Sequence, residues 1–217
     1  MIITKQKDKD IILEYLKCDK KIFIAGCAQC STVCKTGGEE EVLAMKAFLA
    51  KHGKIITGTF VLDPPCHLVK AKKMNQQFKA QIQKSDAILA LTCGDGTQTI
   101  VEGTKGKRVH PGLDTLFLGE VQSDGRFVQK CSLCAECVLD ETGGLCPVTL
   151  CPKGLLNGPC GGVKDKKCEV SKDIDCVWIQ IYERLDSLKE LSKMKNTQNP
   201  RDNEKRLSPK KISLEKK

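Results

Sequence analysis

Apolar positions along the chain follow two different periods. Four short apolar runs, KIFIAG (21–26), KIITGTFVL (54–62), DAILALT (86–92) and DTLFLG (114–119), read as strands. Between the first two lies GGEEEVLAMKAFLAKHG (37–53), where Val42, Met45, Phe48 and Leu49 share one helical face. Three glutamates fill its first turn and Gly53 suits its C-terminal cap. DKDIILEYLK (8–17) is a further helix candidate, and MNQQFKAQIQKS (74–85) carries a weaker helical pattern. Apolar strands alternating with helices predict a parallel sheet covered on both faces. The expectation is an α/β, three-layer, flavodoxin- or Rossmann-like domain over about 1–120.

The pattern then changes. GEVQSDGRFVQKC (119–131) places Asp124-Gly125 between two alternating runs, a hairpin signal. Residues 121–176 are rich in Cys, Gly and Pro and poor in apolar side chains. Such a stretch buries too little surface to fold alone, so it is expected to be an appended metal-binding module. In CVWIQIYERLDSLKELSKM, Trp178, Ile181, Leu185, Leu188 and Leu191 recur at helical spacing, so 177–194 is an amphipathic helix. Packing on the protein's own core is the favoured role for it, with a partner interface as the alternative. From 195 to 217 the chain is polar and basic without periodicity and is expected to be disordered.

The formal net charge is +9, of which the 195–217 segment alone supplies +5. Metal-bound thiolates would offset much of the remainder, and aromatics make up only 4% of the chain. Stacking platforms are therefore scarce, and no nucleic-acid partner is expected. No apolar run reaches the roughly 18–20 residues of a membrane span. The N-terminal MIITKQKDKDIILEYL has neither an apolar core segment nor a small-residue cleavage site, so a cytoplasmic location is expected.

In a reducing compartment the fourteen cysteines read as metal ligands or redox groups rather than disulfides. Each of the first three strands runs into cysteine: Cys27, Cys30 and Cys34 after the first, Cys66 after the second, Cys93 after the third. That edge is where open α/β sheets bind ligands. Cys27, Cys30 and Cys34 would supply three thiolates of one site. Cys93 and Cys66 compete for the fourth place. Cys93 is favoured because its glycine-rich flank CGDG lets backbone N–H groups approach the sulfur. Cys18 reads as a packing residue.

Eight further cysteines, Cys131, Cys134, Cys137, Cys146, Cys151, Cys160, Cys168 and Cys176, are the number needed for two tetrathiolate sites. The opening C-x2-C-x2-C is close to a ferredoxin run and favours the corners of a 4Fe–4S cubane over zinc. The distant single cysteines fit either metal. How the eight divide between two sites is left open by the spacing. No catalytic residue stands out: His52, His67 and His110 occur in unrelated contexts.

Two blocks resemble a known family. One is GCAQCSTVCKTGGE, and the other is CSLCAEC followed by GGLCP, CPKGLLNGPCGG, CEV and CVWIQIYERL. Together, over about residues 20–186, they are similar to the methylenetetrahydrofolate reductase C-terminal domain family, including the MetV-type iron–sulfur/zinc subunit of anaerobic bacteria. The resemblance implies a non-catalytic subunit of an oxidoreductase complex. Two or three 4Fe–4S clusters, or alternatively zinc, would be its metal centres. It implies electron transfer to the flavin of a separate catalytic subunit that reduces methylenetetrahydrofolate to methyltetrahydrofolate, in Wood–Ljungdahl-type one-carbon metabolism. Further electron-donor subunits would complete the complex.

Overall fold

A computed structural model describes residues 1–212 of the chain. The last part of the segment expected to be disordered, 213–217, lies outside the described residues. The chain divides into two compact units, Met1–Phe117 and Leu118–Lys217. No helix among the described residues is long and apolar enough to cross a membrane.

In chain order the first unit comprises β1 (Ile2–Gln6), α1 (Lys9–Tyr15), β2 (Lys21–Cys27), α2 (Cys30–Val33), α3 (Glu39–Lys51), β3 (Ile55–Leu62), α4 (Leu68–Gln77), α5 (Lys79–Lys84), β4 (Ala87–Leu91), α6 (Gly94–Gly103) and β5 (Arg108–Pro111). A four-stranded parallel sheet runs in the order β3-β2-β4-β5. Its central strands are apolar from Ile22 to Cys27 and from Ala87 to Leu91 because both faces are covered. Ile22, Ile24, Leu89 and Leu91 point to one face, packing with Ile12, Leu16, Val42, Met45 and Leu49 of α1 and α3 and the turn that closes α1. Phe23, Ala25, Ile88 and Ala90 point to the other, against Met74, Ile82 and Ile100 of α4, α5 and α6. The period-2 alternation of β2 and β4 thus feeds two separate cores.

The helix expected over 37–53 is α3, whose Glu41 carboxylate accepts the Gly38 N–H at 2.9 Å. The weaker pattern over 74–85 resolves into two helices, α4 and α5, the first starting earlier, at Leu68. β1 and α2 have no counterpart in the sequence reading.

One strand differs from expectation. The fourth strand of the parallel sheet is β5, not 114–119. Residues Leu113–Val121 form β6, in a second sheet of order β1-β6-β7. The change of sheet occurs at Gly112, whose N–H donates to Ala90 O at 2.8 Å and whose carbonyl accepts Lys7 N–H at 2.9 Å. A Cβ there would lie 2.5 Å from Leu91 Cδ2, so a larger residue would have to push the buried Leu91 side chain aside. Pro111 ends β5 at the sheet edge, where its missing N–H costs nothing.

The second unit has little regular structure. β6 pairs antiparallel with β7 (Phe127–Cys131), from Leu118↔Cys131 to Val121↔Phe127. The hairpin turn expected at Asp124-Gly125 is present, with Gly125 at φ +82°. The short α7 (Pro147–Leu150) follows, and then a long irregular stretch leads to α8 (Val177–Ser187). Val177, Trp178, Ile181 and Leu185 of α8 are buried with Cys176, and Leu150, Cys151, Leu155 and Val163 pack around them. The apolar face of α8 is therefore covered by its own unit. A 3-10 turn, Leu191–Lys195, comes next. Within 195–212, Asn157 and Gln198 exchange two hydrogen bonds, of 2.9 and 2.7 Å. Arg201 and Lys205 both bond to Glu136.

Candidate metal centres

At the carboxyl edge of the parallel sheet, Cys27 is the last residue of β2 and sits opposite Leu62, the last of β3. Gly37 shapes this edge. Its carbonyl accepts the Cys27 N–H at 2.8 Å, and a Cβ on it would overlap the Leu91 carbonyl. Cys93 caps α6, and its sulfur accepts the backbone N–H groups of Gly96 and Asp95. Burial pushes the Cys93 thiol up in pKa against the pull of those two N–H groups. The Cys66 thiol is also raised, first by burial, then by Asp95, Cys93 and Cys27 nearby. Cys27, Cys66 and Cys93 thus share one neighbourhood.

Cys30 and Cys34 turn elsewhere. They lie one turn apart around α2 and bracket the backbone of Ile2 in β1. The Ile2 N–H donates to Cys30 Sγ at 3.4 Å, and Cys34 Sγ lies 3.8 Å from the Ile2 carbonyl. The C-x2-C-x3-C run is therefore divided: its first member faces Cys93 and Cys66, and the other two face β1. Cys18 is exposed.

In the second unit the eight cysteines fall into two sets of four. Cys131, Cys134, Cys137 and Cys146 line one cavity of about 570 Å³, together with Leu133, Val138, Leu139 and Val148. Cys151, Cys160, Cys168 and Cys176 line another, of about 10 Å³, against Leu155, Val163 and Trp178. The division follows chain order, four and then four, so no ligand of one set is interleaved with the other.

Local folding explains both gatherings. Cys131 ends β7, and positive φ values at Leu133 (55°) and Ala135 (61°) coil the CSLCAEC segment back on itself. Cys146 caps α7 and Cys151 follows it, so the four residues of α7 separate the two sets. Cys176 caps α8 and donates its N–H to Lys166 O at 2.8 Å, while the Cys168 N–H bonds Ile174 O at 2.8 Å. These bonds fold 166–176 into a tight loop that carries Cys168 back toward Cys176.

Among the described residues, no group of three or more His, Cys, Asp or Glu side chains is gathered closely enough to hold a metal ion. Several sulfurs are engaged individually instead. Cys134 Sγ donates to Glu136 O at 3.4 Å, Cys146 Sγ to Thr149 Oγ1 at 3.5 Å and Cys160 Sγ to Glu169 Oε2 at 3.2 Å.

Three charged groups near the two sets escaped sequence reasoning. Lys153 lines the smaller cavity and pairs with Glu169. Arg201 donates through Nη2 to the carbonyl of Glu136, between Cys134 and Cys137, while its buried Nε and Nη1 find no partner. Unpaired buried N–H groups are rare and call for a missing acceptor. His52 and His110 are engaged with Phe48 O at 2.8 Å and Asp19 Oδ2 at 3.0 Å, away from every cysteine set.

Residues 110–204 match the family described as methylene-tetrahydrofolate reductase C terminal. No curated protein and no solved structure matches the chain. The matched stretch is less than half of the 217 residues, but it contains all eight cysteines of the two cavities. The similarity to that family thus rests on the segment that holds both cysteine sets.

Proposed function

We propose that the protein is an accessory, non-catalytic subunit of a cytoplasmic methylenetetrahydrofolate reductase. Its partner is a separate flavin-bearing subunit that reduces methylenetetrahydrofolate to methyltetrahydrofolate, and further donor subunits supply the electrons. The observation that carries this reading is the four-and-four division of cysteines around two cavities inside the family-matched segment.

The residues fit tetrathiolate metal centres in donor type and number. Each cavity has four cysteines and no other soft ligand. The buried Arg201 N–H groups beside the Cys134–Cys137 loop would face a negative centre there. Residues 121–176 are on this reading a metal-binding module, stabilised by what its cysteines hold. A bound 4Fe–4S cluster supplies one-electron transfer at a potential set by burial, charge and N–H···S bonds. The chain's own part is to offset the charge of the sulfurs with Arg201 and Lys205, which meet Glu136 in the CSLCAEC loop.

Cys27, Cys93 and Cys66 are proposed as members of a third site at the sheet edge. This group fits less well, because Cys30 and Cys34 face Ile2. The two lower sets therefore carry the reading.

A second reading is a zinc-stabilised module that supports the reductase without passing electrons. The small cavity of Cys151, Cys160, Cys168 and Cys176, of about 10 Å³, favours it locally. Metal analysis of anaerobically purified protein separates the two. Iron and acid-labile sulfide in near-equal amounts, with a brown absorbance that bleaches on reduction, are expected. Colourless protein carrying zinc alone would overturn the electron-transfer reading.

A further inference from the structure

From 199 to 212 every residue except Arg201 is exposed, yet this polar segment is tied to the second unit at both ends of a short run. At its start the Asn157 side chain exchanges two hydrogen bonds with the Gln198 backbone. Asp202 then caps the 3-10 turn Asn203–Arg206, its Oδ1 accepting the Glu204 N–H at 3.0 Å. Three donors around that cap converge on one residue of the CSLCAEC loop, Glu136. Arg201 Nη2 donates to its carbonyl, the Asp202 N–H to its Oε2 at 3.2 Å and Lys205 Nζ to its Oε1 at 2.8 Å. Glu136 and, further along the segment, Lys210 both line the cavity of Cys131, Cys134, Cys137 and Cys146.

What fastens the segment is weak by type. Its two large aliphatic side chains, Leu207 and Ile212, are 67% and 89% exposed, so apolar burial contributes little. The Lys205–Glu136 pair joins side chains 47% and 34% exposed. An ion pair so exposed is worth little and is screened by salt. Arg201 adds a cost: its Nε and Nη1 are buried without an acceptor while the segment is docked, and lifting it would return them to water. A segment held by a few polar contacts and almost no apolar ones opens locally, without the core around α8 unfolding.

We infer that residues 198–210 form a strap that closes on the CSLCAEC loop through Glu136, limits the entry of solvent to that wall of the cavity, and is released by rising ionic strength. The closed strap is the state in which Glu136 collects all three donors. In the open state Arg201, Asp202 and Lys205 exchange Glu136 for water and the loop from Cys131 to Leu139 is uncovered. The device is built from the chain's own contacts and holds whatever the four cysteines carry.

The test is amide hydrogen–deuterium exchange on the full chain, read by mass spectrometry at about 20 mM and about 500 mM sodium chloride. Peptides over 198–206 and 131–139 should exchange slowly at low salt and faster, together, at high salt, while α8 stays protected at both. Lys205→Gln, a change at an exposed side chain, should speed the low-salt exchange of both segments by about two- to fivefold, the worth of one exposed ion pair. Asn157→Ala, which removes the tie at Gln198, should act in the same direction. Salt-independent exchange of 198–206 would overturn the inference, as would a release of 198–206 that leaves 131–139 unchanged. So would a Lys205→Gln chain that exchanges like the wild type. Equal loosening of α8 would assign the effect to the whole unit and overturn the strap too. None of these outcomes bears on the electron-transfer reading, which metal analysis tests separately.

Discussion

Trp178 is the chain's single tryptophan, 5% exposed, with its indole N–H on Leu155 O and its ring on the wall of the smaller cysteine cavity. Truncating it removes both the packing and the bond. Trp178→Ala should destabilise the second unit by about 3–5 kcal/mol, whereas Trp178→Phe should cost less by keeping most of the ring contacts. Urea unfolding followed by circular dichroism would read both, and equal midpoints for the two variants would remove the packing argument. In the first unit Gly37 is the comparable position. A Cβ there would overlap the backbone carbonyl of Leu91, an atom that cannot swing away. Gly37→Ala should therefore destabilise by about 1–3 kcal/mol, as overpacking does, despite being a one-methyl change in a loop. In the sequence the Gly37-Gly38 pair reads as a helix start, and Gly38 does cap α3. The close approach of Gly37 to β4 was invisible, because it depends on a strand more than fifty residues away.

At the scale of elements, Asp86 fixes the start of the sheet. Its carboxylate accepts the N–H groups of Lys20 and Lys21 at 2.8 and 2.7 Å, joining the residue before β4 to the start of β2. These two backbone donors, Lys21 first, hold the Asp86 carboxyl below the usual carboxylate range. A carboxyl with a depressed folded pKa adds stability above its unfolded pKa and loses it as pH falls through the folded value. Asp86→Ala should be less stable than the wild type at pH 7. The gap should close as the medium is acidified below about pH 3.9, the ordinary aspartate value. Paired urea titrations across that range would check it, and a pH-independent gap would assign the effect to packing. β2 and β4 were legible because a strand buried on both faces is a continuous apolar run, and the edge strand β3 because IITGTFVL is long and keeps apolar residues at both ends. β5 was not. RVHP is a four-residue edge strand with Val109 as its one aliphatic side chain, and the nearby DTLFLG outcompeted it as a pattern. β1 escaped for a similar reason: IITKQ is short and only its middle is buried.

At the scale of the whole molecule, charge and chain order carry the argument. The eight lower cysteines read as ligands from number and spacing, with their division left open, since sequence distance alone allows many pairings. In the structure they line two cavities, four and four, with α7 between Cys146 and Cys151. The basic 195–217 segment is expected from its sequence to be disordered. In the structure its residues 198–205 return to the second unit, where Arg201 and Lys205 meet Glu136 inside the CSLCAEC loop. The Lys205 ammonium, then the Asp202 N–H, holds the Glu136 carboxyl below its ordinary range, so this contact stays charged at neutral pH. Positive charge is thereby brought beside Cys131, Cys134, Cys137 and Cys146, one of the two sets proposed as metal centres. A cation near a redox centre favours the reduced form, which carries one more negative charge. Arg201→Ala should therefore move the midpoint potential of the bleachable absorbance to more negative values. Arg201→Lys, which keeps the charge, should restore most of the shift. The difference should shrink as salt is added if the guanidinium acts through solvent, and persist if it acts from its buried position. A redox titration of the three proteins at two ionic strengths would measure all of this. An unchanged midpoint in Arg201→Ala would mean that the guanidinium serves only to hold the loop.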